Sequence, residues 1–533
     1  MFTINKEINL LETVRKLMKN SLWNLTSFGF ATVLGLISIP IFIERLSLEY
    51  YGLFVLLNSI LAPMGLLNLG FGQATIKFIA ESYGKDDSTG ANHFLRTTLS
   101  YNIFSGLLGT FIIILISKVL VIKVFNIPPT DSPMIISSLK WVAFTWTANQ
   151  IVTSYMALPT ALQKYNLVAI GSSLIFSGSI LISILVLFFN GNILSLVQAR
   201  FFWAIISIFI WVIIIRKLIP TSSVLPGWDK KAFSESFSFG VWQNLAALGG
   251  VLSSQADKLL LGIYMTPSQI GVYNTGWSVE STLNTLVYKI GEVLFPALSN
   301  LQGMKKIEMI NKITLRSGWF LIILMILILG PFSVFSKDIL TLYVGSDIAN
   351  SAYQLVRILS IAGIISSGSI SINQYMLGTG KTKWVALTSF TSGIVIFFSS
   401  LLLIPTYGLI GAGWGQIVAI LLTRPFIQFG IWVKFLRNNY SAKVFFSYLY
   451  GPIISVLPLL ISLYFLRDLF HGNLSFIFLI LGNLTTALFF CANILLANRL
   501  FPGYSERKRD LYLIVNILYK GIAKKTNLPK TFT

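Results

Sequence analysis

Apolar positions in this chain come in long unbroken blocks, not in the alternation of a half-buried strand or the single stripe of a soluble amphipathic helix. A helix rises about 1.5 Å per residue and the hydrocarbon core of a bilayer is about 30 Å thick, so a block of roughly 20 residues can cross it. Fourteen such blocks can be placed, at 22–44, 50–76, 94–121, 135–158, 166–189, 194–218, 235–263, 269–297, 315–335, 350–377, 384–405, 408–433, 444–466 and 474–498. The pattern predicts an all-α, polytopic membrane protein.

Composition narrows the picture by exclusion. Charged residues make up 11% of the 533 positions and the mean hydropathy is +0.76, too little polar surface to cover soluble domains of this length. Disorder is excluded on the same ground. A single cysteine, Cys491, cannot close an internal disulfide, and two histidines, His93 and His471, leave no Cys/His cluster for a transition metal. No metal or other cofactor is expected. The net charge of +21 invites a nucleic-acid partner, but the positions of the charges argue against one. Lys6, Arg15, Lys77, Lys85, Lys164, Lys217, Lys230, Lys305, Lys312, Lys381, Lys383, Lys434, Arg437 and the C-terminal tail fall on one side of the predicted spans. The opposite connections hold Arg45, Lys118, Lys123, Lys140, Lys337 and Arg467. Excess Lys and Arg mark the cytoplasmic side, so both termini are expected inside.

The first twenty residues are charged and lead into a full-length span, so no cleavable signal peptide is expected. Ile4, Ile8, Leu11, Val14 and Met18 recur at helical spacing opposite Lys6, Arg15 and Lys19, predicting an interfacial helix. The tail repeats the pattern beside Arg507, Lys508, Arg509, Lys524 and Lys525, where anionic lipid is the expected neighbour.

The chain also matches itself. An offset of 219 places Gly52 on Gly271, Gly72 on Gly291 and Gly84 on Gly303, and one further residue of shift places Tyr155-Met156 on Tyr375-Met376 and Gly191 on Gly411. Two parallel six-helix lobes around a central cavity are therefore expected. Residues 1–218 would form the N-terminal lobe, 219–234 a cytoplasmic linker and 235–437 the C-terminal lobe. Two extra helices would lie within 438–498, followed by a basic cytoplasmic tail at 499–533.

An ionisable side chain inside a bilayer is costly, so each is a functional candidate. Arg200, Asp257, Lys258, Glu280, Lys289, Glu292, Arg357 and Arg424 lie within or near the spans, with the basic groups in excess. That surplus suits an anionic cargo, with Lys258, Arg200, Arg357, Arg424 and Lys289 as its contacts. Asp257 and Glu280 are candidates for ion coupling. Each has a structural alternative: Lys289 and Glu292, three apart on one helix face, can neutralise each other; Arg357 and Arg200 can snorkel; and Arg424 precedes Pro425, whose kink frees a carbonyl. Asp257 and Lys258 are adjacent, about 100° apart on a helix, so each needs another partner. No residue is expected to be catalytic, and no phosphate-binding GxxxxGK[ST] loop is present.

At these positions the sequence resembles the polysaccharide-export flippases of the multidrug/oligosaccharidyl-lipid/polysaccharide superfamily. The resemblance rests on IERLSLEYYGLFVLLNS and LLNLGFGQATIKFIAE in the first copy. In the second it rests on SSQADKLLLGIYMTPSQIGVYN, LFPALSN, YMLGTGKTKW and LLLIPTYGLIGAGWGQ. It covers almost the whole chain and implies a transporter, not an enzyme, of the bacterial cytoplasmic membrane. The implied cargo is a polyprenyl-diphosphate-linked oligosaccharide carried from the cytoplasmic to the outer leaflet, with a glycan polymerase and glycosyltransferases as partners. Two other functions fit the same superfamily: flipping of a peptidoglycan lipid precursor and cation-coupled drug antiport.

Overall fold

The computed structural model describes residues 27–218, 224–437 and 440–467. The expected interfacial helix, the span at 474–498, the basic tail and Cys491 lie outside the described residues. Every element within them is helical: α1 (Ser27–Leu46), then α2 (Leu48–Leu61), α3 (Phe71–Gly84), α4 (Ser88–Val119), α5 (Ser132–Ala161), α6 (Tyr165–Phe188), α7 (Ile193–Leu218) and α8 (Lys230–Tyr264). They are followed by α9 (Pro267–Glu292), α10 (Leu294–Gly303), α11 (Ile307–Val334), α12 (Ser336–Val344), α13 (Ser346–Ser366), α14 (Ser369–Gly378), α15 (Thr382–Ile431) and α16 (Ala442–Arg467). Eight described helices or helical runs are long and apolar enough to cross a membrane: α1, α2 with its extension to Asn68, α4, α6, α7, α11, α13 and α15. Helices α5, α8 and α9 have the length, at 30, 35 and 26 residues, but carry more polar positions. They are also where much of the candidate chemistry sits.

Three expected spans are broken in the structure, the block at 269–297 at Val293 between α9 and α10 and two others. The block at 50–76 is not one helix: α2 passes at Ala62 into a 3-10 helix with a proline in its first turn, and Leu69 and Gly70 then take left-handed backbone angles before α3. Pro63 cannot donate an amide hydrogen bond, and Gly70 tolerates a φ of +72°. The block at 350–377 is likewise divided, into α13 and α14, at Ser367–Gly368. The blocks 384–405 and 408–433 are two helices, together labelled α15, that meet at the non-helical Gly408 (φ 59°, ψ −134°), where the two spans were expected to meet.

The chain divides into two compact units, residues 1–279 with 386–415, and 280–385 with 416–533. In the first unit α4 packs on α5, and α5 on α7. Their core holds Ile79, Leu95, Leu99, Val152, Tyr155, Leu158, Trp211 and Ile215. The end of the linker is fastened to this core. The Tyr155 hydroxyl donates to the Val224 carbonyl at 2.8 Å, Ser100 donates to the Gly227 carbonyl at 2.8 Å, and the Asp229 amide donates to Thr97 Oγ1 at 3.1 Å. Asp229 then caps α8 by accepting from the Ala232 amide at 2.7 Å. Phe104, Phe111 and Leu115 of α4 and Phe202 and Phe209 of α7 are exposed, as expected of faces whose solvent is lipid.

Within this unit the repeat-related glycines Gly52 and Gly271 meet. A Cβ on Gly52 would overlap the Pro267 carbonyl, and one on Gly271 would stand 2.8 Å from the Leu48 carbonyl, so neither admits a side chain without moving backbone. Asn274 donates to the Tyr51 hydroxyl beside them at 2.7 Å. In the second unit α11 packs against α13, α14 and α16, with Ile322, Met325, Ile326 and Leu329 fully buried.

Candidate functional site

The densest intramembrane chemistry in the first unit is on the α8–α9 hairpin. Thr266 and Gln269 form a capping box: the Thr266 amide donates to Gln269 Oε1 at 3.1 Å, and the Gln269 amide donates to Thr266 Oγ1 at 3.4 Å. With Pro267 as the first residue of α9 the turn is tight, and α9 returns alongside α8. Asp257 and Lys258 on α8 thereby meet Tyr273 and Trp277, two aromatics one helical turn apart on α9. Asp257 is fully buried; its carboxylate accepts from the Tyr273 hydroxyl and, at 2.9 Å, from the Lys258 backbone amide. Lys258 is 5% exposed, and its ammonium lies 3.6 Å from the centroid of the Trp277 ring. The two neighbours thus find separate partners, as their angular separation requires.

The difference between those partners matters. A desolvated cation on an indole face recovers about 2 kcal/mol or more, whereas removing an ammonium ion from water costs several kcal/mol. The ring orients Lys258 without satisfying it. Its ammonium donors remain available to an anion.

A second polar site in the first unit surrounds Arg200. Its Nε donates to Ser183 Oγ at 2.7 Å, and its guanidinium lies 4.7 Å from the Phe54 ring centroid, so it is directed inward and does not snorkel. It lines a cavity of about 230 Å³ with Asn58, Thr145, Trp146, Asn149 and Ser179. At about 30 Å³ per water this is room for roughly eight waters, less than an oligosaccharide fills. Neither Asp257 nor Lys258 lines it. Elsewhere in the unit an apolar groove of about 650 Å³ runs between α1, α6 and α7, walled by Phe30, Ile170, Leu181, Leu185 and Trp203.

In the second unit the candidates are held more firmly by protein. Glu280, 6% exposed, accepts from the Asn284 side chain at 3.3 Å. Lys289 and Glu292 form an ion pair at 2.9 Å. Arg357 donates from Nε to the Ser333 carbonyl at 3.2 Å and from Nη2 to the Val334 carbonyl at 3.4 Å, and stacks 5.0 Å from the Tyr353 centroid. It satisfies carbonyls that the end of α11 leaves open. Arg424 has a buried Nε with no hydrogen-bond partner among the described residues and lies near Tyr450, whose hydroxyl donates to Gln428 at 2.7 Å.

Sequence reasoning found the charges and missed their company. Tyr273 and Trp277 were legible as an aromatic pair at helical spacing, and Asn58 and Asn149 as polar interruptions of apolar blocks. Nothing in the sequence assigned them to Lys258 or Arg200.

Comparison with known proteins adds the family context. The pattern of the family described as "Polysaccharide biosynthesis protein" matches residues 17–302, more than half of the chain, and the MatE pattern matches residues 245–406. A protein assigned as an O-antigen transporter of Shigella flexneri is 22% identical over 77% of this chain and 97% of its own length. The protein assigned as low-salt glycan biosynthesis flippase Agl15 of Haloferax volcanii is 23% identical over 33% of this chain and 37% of its own length. Among solved structures, the lipid II flippase MurJ in an inward closed conformation superposes with a TM-score of 0.70 at 15% identity. That match covers 89% of this chain and 98% of that one.

Proposed function

The chain belongs to the polysaccharide biosynthesis protein family, and we propose that it is a flippase for a polyprenyl-diphosphate-linked oligosaccharide. It would carry this cargo from the cytoplasmic to the outer leaflet of a bacterial cytoplasmic membrane, for surface polysaccharide synthesis. Relatives assigned as an O-antigen transporter and a glycan flippase support the cargo class. The proposed layout is two six-helix lobes at 1–218 and 235–437, joined by the linker at 219–234, with both termini in the cytoplasm. A glycan polymerase and glycosyltransferases are the proposed neighbours in the pathway.

One observation carries the reading: Lys258 is buried in a membrane helix with its ammonium against a ring and, among the described residues, no carboxylate at ion-pair distance. A diphosphate and its sugars lose several kcal/mol for each polar group stripped of water, and a fixed cation with spare donors replaces part of that solvation. Arg200 and Arg424 have the same character, with donors not consumed by acidic partners. Lys289 and Arg357 already have protein partners and carry less of the proposed binding. Asp257 and Glu280 are the proposed coupling carboxylates. Outward movement of negative charge in an inside-negative cell gains about 2.3 kcal/mol per charge per 100 mV, which assists the step. The apolar groove of the first unit suits the polyprenyl chain.

Reconstitution with labelled lipid-linked glycan tests this. Lys258→Gln is expected to lower the rate of translocation at least about tenfold, corresponding to the loss of roughly 1.4 kcal/mol of cargo binding, while Lys258→Arg retains most of it. Full activity of Lys258→Gln and Arg424→Gln, in protein that inserts normally, would reject the anion-binding assignment.

A further inference from the structure

The turn between α14 and α15 fixes a lysine that the transport reading does not use. Gly380 has a φ of +75°. Its amide donates to the Leu377 carbonyl at 3.1 Å, and the Lys381 amide reaches back to Met376 at 2.7 Å. These two bonds are a Schellman C-cap, and they leave Lys381 with one exit direction. Its ammonium donates to the Tyr375 hydroxyl at 2.7 Å and lies 4.2 Å from the Tyr375 centroid and 3.8 Å from the Phe435 centroid. A second cation shares one of these rings: Lys434, exposed, lies 5.8 Å from Phe435 and 4.9 Å from Trp384, and Trp384 meets Phe435 edge-on at 5.9 Å. The five residues all belong to the second unit.

The corresponding cap in the first copy shows that this arrangement is additional to the fold. Helix α5 ends in the same way, the Gln163 amide donating to Thr160 at 3.0 Å and the Lys164 amide to Pro159 at 2.8 Å. Lys164 is exposed, and among the described residues its ammonium makes no ring contact. The cap alone does not require an aromatic setting for its lysine. In the second copy three rings and two ammonium groups converge, and among the described residues no carboxylate lies at ion-pair distance from either ammonium.

We infer that Lys381 and Lys434, framed by Tyr375, Trp384 and Phe435, bind the phosphate headgroup of an anionic bilayer phospholipid on the membrane side expected to be cytoplasmic. The chemistry matches in both halves. The ammonium groups supply the charge that attracts an anionic surface. Trp384 belongs to the aromatic class that settles at the headgroup level, where a lipid is polar on one side and apolar on the other, and the buried Tyr375 holds Lys381 from the protein side. Burial without an opposing charge depresses Lys381 to about 8, and a bound phosphate would supply that charge. The inference does not depend on which cargo is carried.

The test uses the full-length protein in nanodiscs of phosphatidylcholine doped with phosphatidylglycerol, with bound lipid counted by native mass spectrometry. Phosphatidylglycerol is expected to be retained over phosphatidylcholine, and Lys381→Gln and Lys434→Gln are each expected to weaken retention about fivefold. Lys381→Arg should retain the lipid, which separates loss of charge from loss of fold. With Lys434 and the Tyr375 hydroxyl as the polar groups facing it, Lys381 is charged below about pH 8, so retention should fall as pH is raised from 7 to 9. Equal retention of both lipids, or wild-type retention by both Gln variants, overturns the inference. Selective retention of polyprenyl diphosphate with no preference for phosphatidylglycerol overturns it in favour of a cargo-loading site, and protection by inorganic phosphate alone overturns it in favour of a free anion site.

Discussion

Residues 48–84 and 267–303 share their element boundaries and differ in what lies between them. The 219-residue offset places the start of α2 on the start of α9, the end of α3 on the end of α10, and the start of α4 on the start of α11. Inside those matched boundaries the first segment breaks between Ala62 and Gly70, whereas the second stays helical to Glu292. The substitutions that account for the difference are visible. Pro63, Gly65 and Gly70 of the first segment stand where the second has Thr282, Asn284 and Lys289. Chemistry moves with geometry: Leu61, Gly70 and Gln73 align with Glu280, Lys289 and Glu292. Between residues 61 and 73 the first copy is broken and carries no charge, whereas 280–292 is continuous helix carrying Glu280, Lys289 and Glu292.

The largest test of the shared frame is at the glycines where the copies touch. A side chain on Gly52 runs into the Pro267 carbonyl, and backbone cannot escape by changing rotamer, so Gly52→Val is expected to cost about 3 kcal/mol or more. Thermal unfolding of the purified protein would show the loss, and translocation should fail with it if this contact is one that opens and closes. The matched pair Gly72 and Gly291 should then diverge. A Cβ on Gly291 would stand 2.6 Å from Ile370 Cγ2 and 3.2 Å from Leu321 Cδ1, whereas none of the described residues approaches one on Gly72 within 4 Å. Gly291→Ala is expected to cost about 1–3 kcal/mol, and Gly72→Ala to be neutral or to gain up to about 1 kcal/mol. Equal effects at the two positions would mean that the copies pack alike despite their different breaks.

Most of the frame was legible because lipid imposes length. Helices α1, α4, α6, α7 and α11 follow from apolar blocks long enough to cross. The offset among Gly52, Gly72 and Gly84 and their partners is written in the sequence and coincides with the matched boundaries of α2 with α9 and of α3 with α10. Hydropathy could not register the break at 62–70, since Leu69 and Gly70 are as apolar as a continuous helix would make them; Pro63 was the local signal. The candidate site divided along a different line. Burial of a charge is written in its own span, so Asp257, Lys258 and Glu280 could be named. The partner is chosen by how two helices cross, so Trp277 beneath Lys258 and the α11 carbonyls around Arg357 could not.

Glu280 sharpens the comparison functionally, because the first copy has Leu61 at its place. A buried carboxylate with one amide partner is a poor contributor to stability, so Glu280→Gln should leave the unfolding temperature within a few degrees of wild type. Translocation is expected to fall about tenfold and to lose its response to an imposed pH gradient, since the variant has no proton to exchange at that position. Unaltered flux and gradient response would place Glu280 with the scaffold and leave Asp257 as the remaining coupling candidate.

The smallest effect belongs to Lys289 and Glu292, which replace the Gly70 and Gln73 of the first copy. Their side chains are about one third and two fifths exposed, and pairs so placed are worth about 0–1 kcal/mol. Either single neutralisation, or Lys289→Gln with Glu292→Gln, is therefore expected to shift stability by less than about 1 kcal/mol and to keep translocation within twofold. The single variants make the result informative. If the pair serves only to neutralise two charges on one helix face, the double variant recovers whatever either single loses. A loss confined to Lys289→Gln and not recovered in the double variant would instead put that ammonium in the cargo's path, and the second copy would then hold one more anion contact than the geometry of its ion pair indicates.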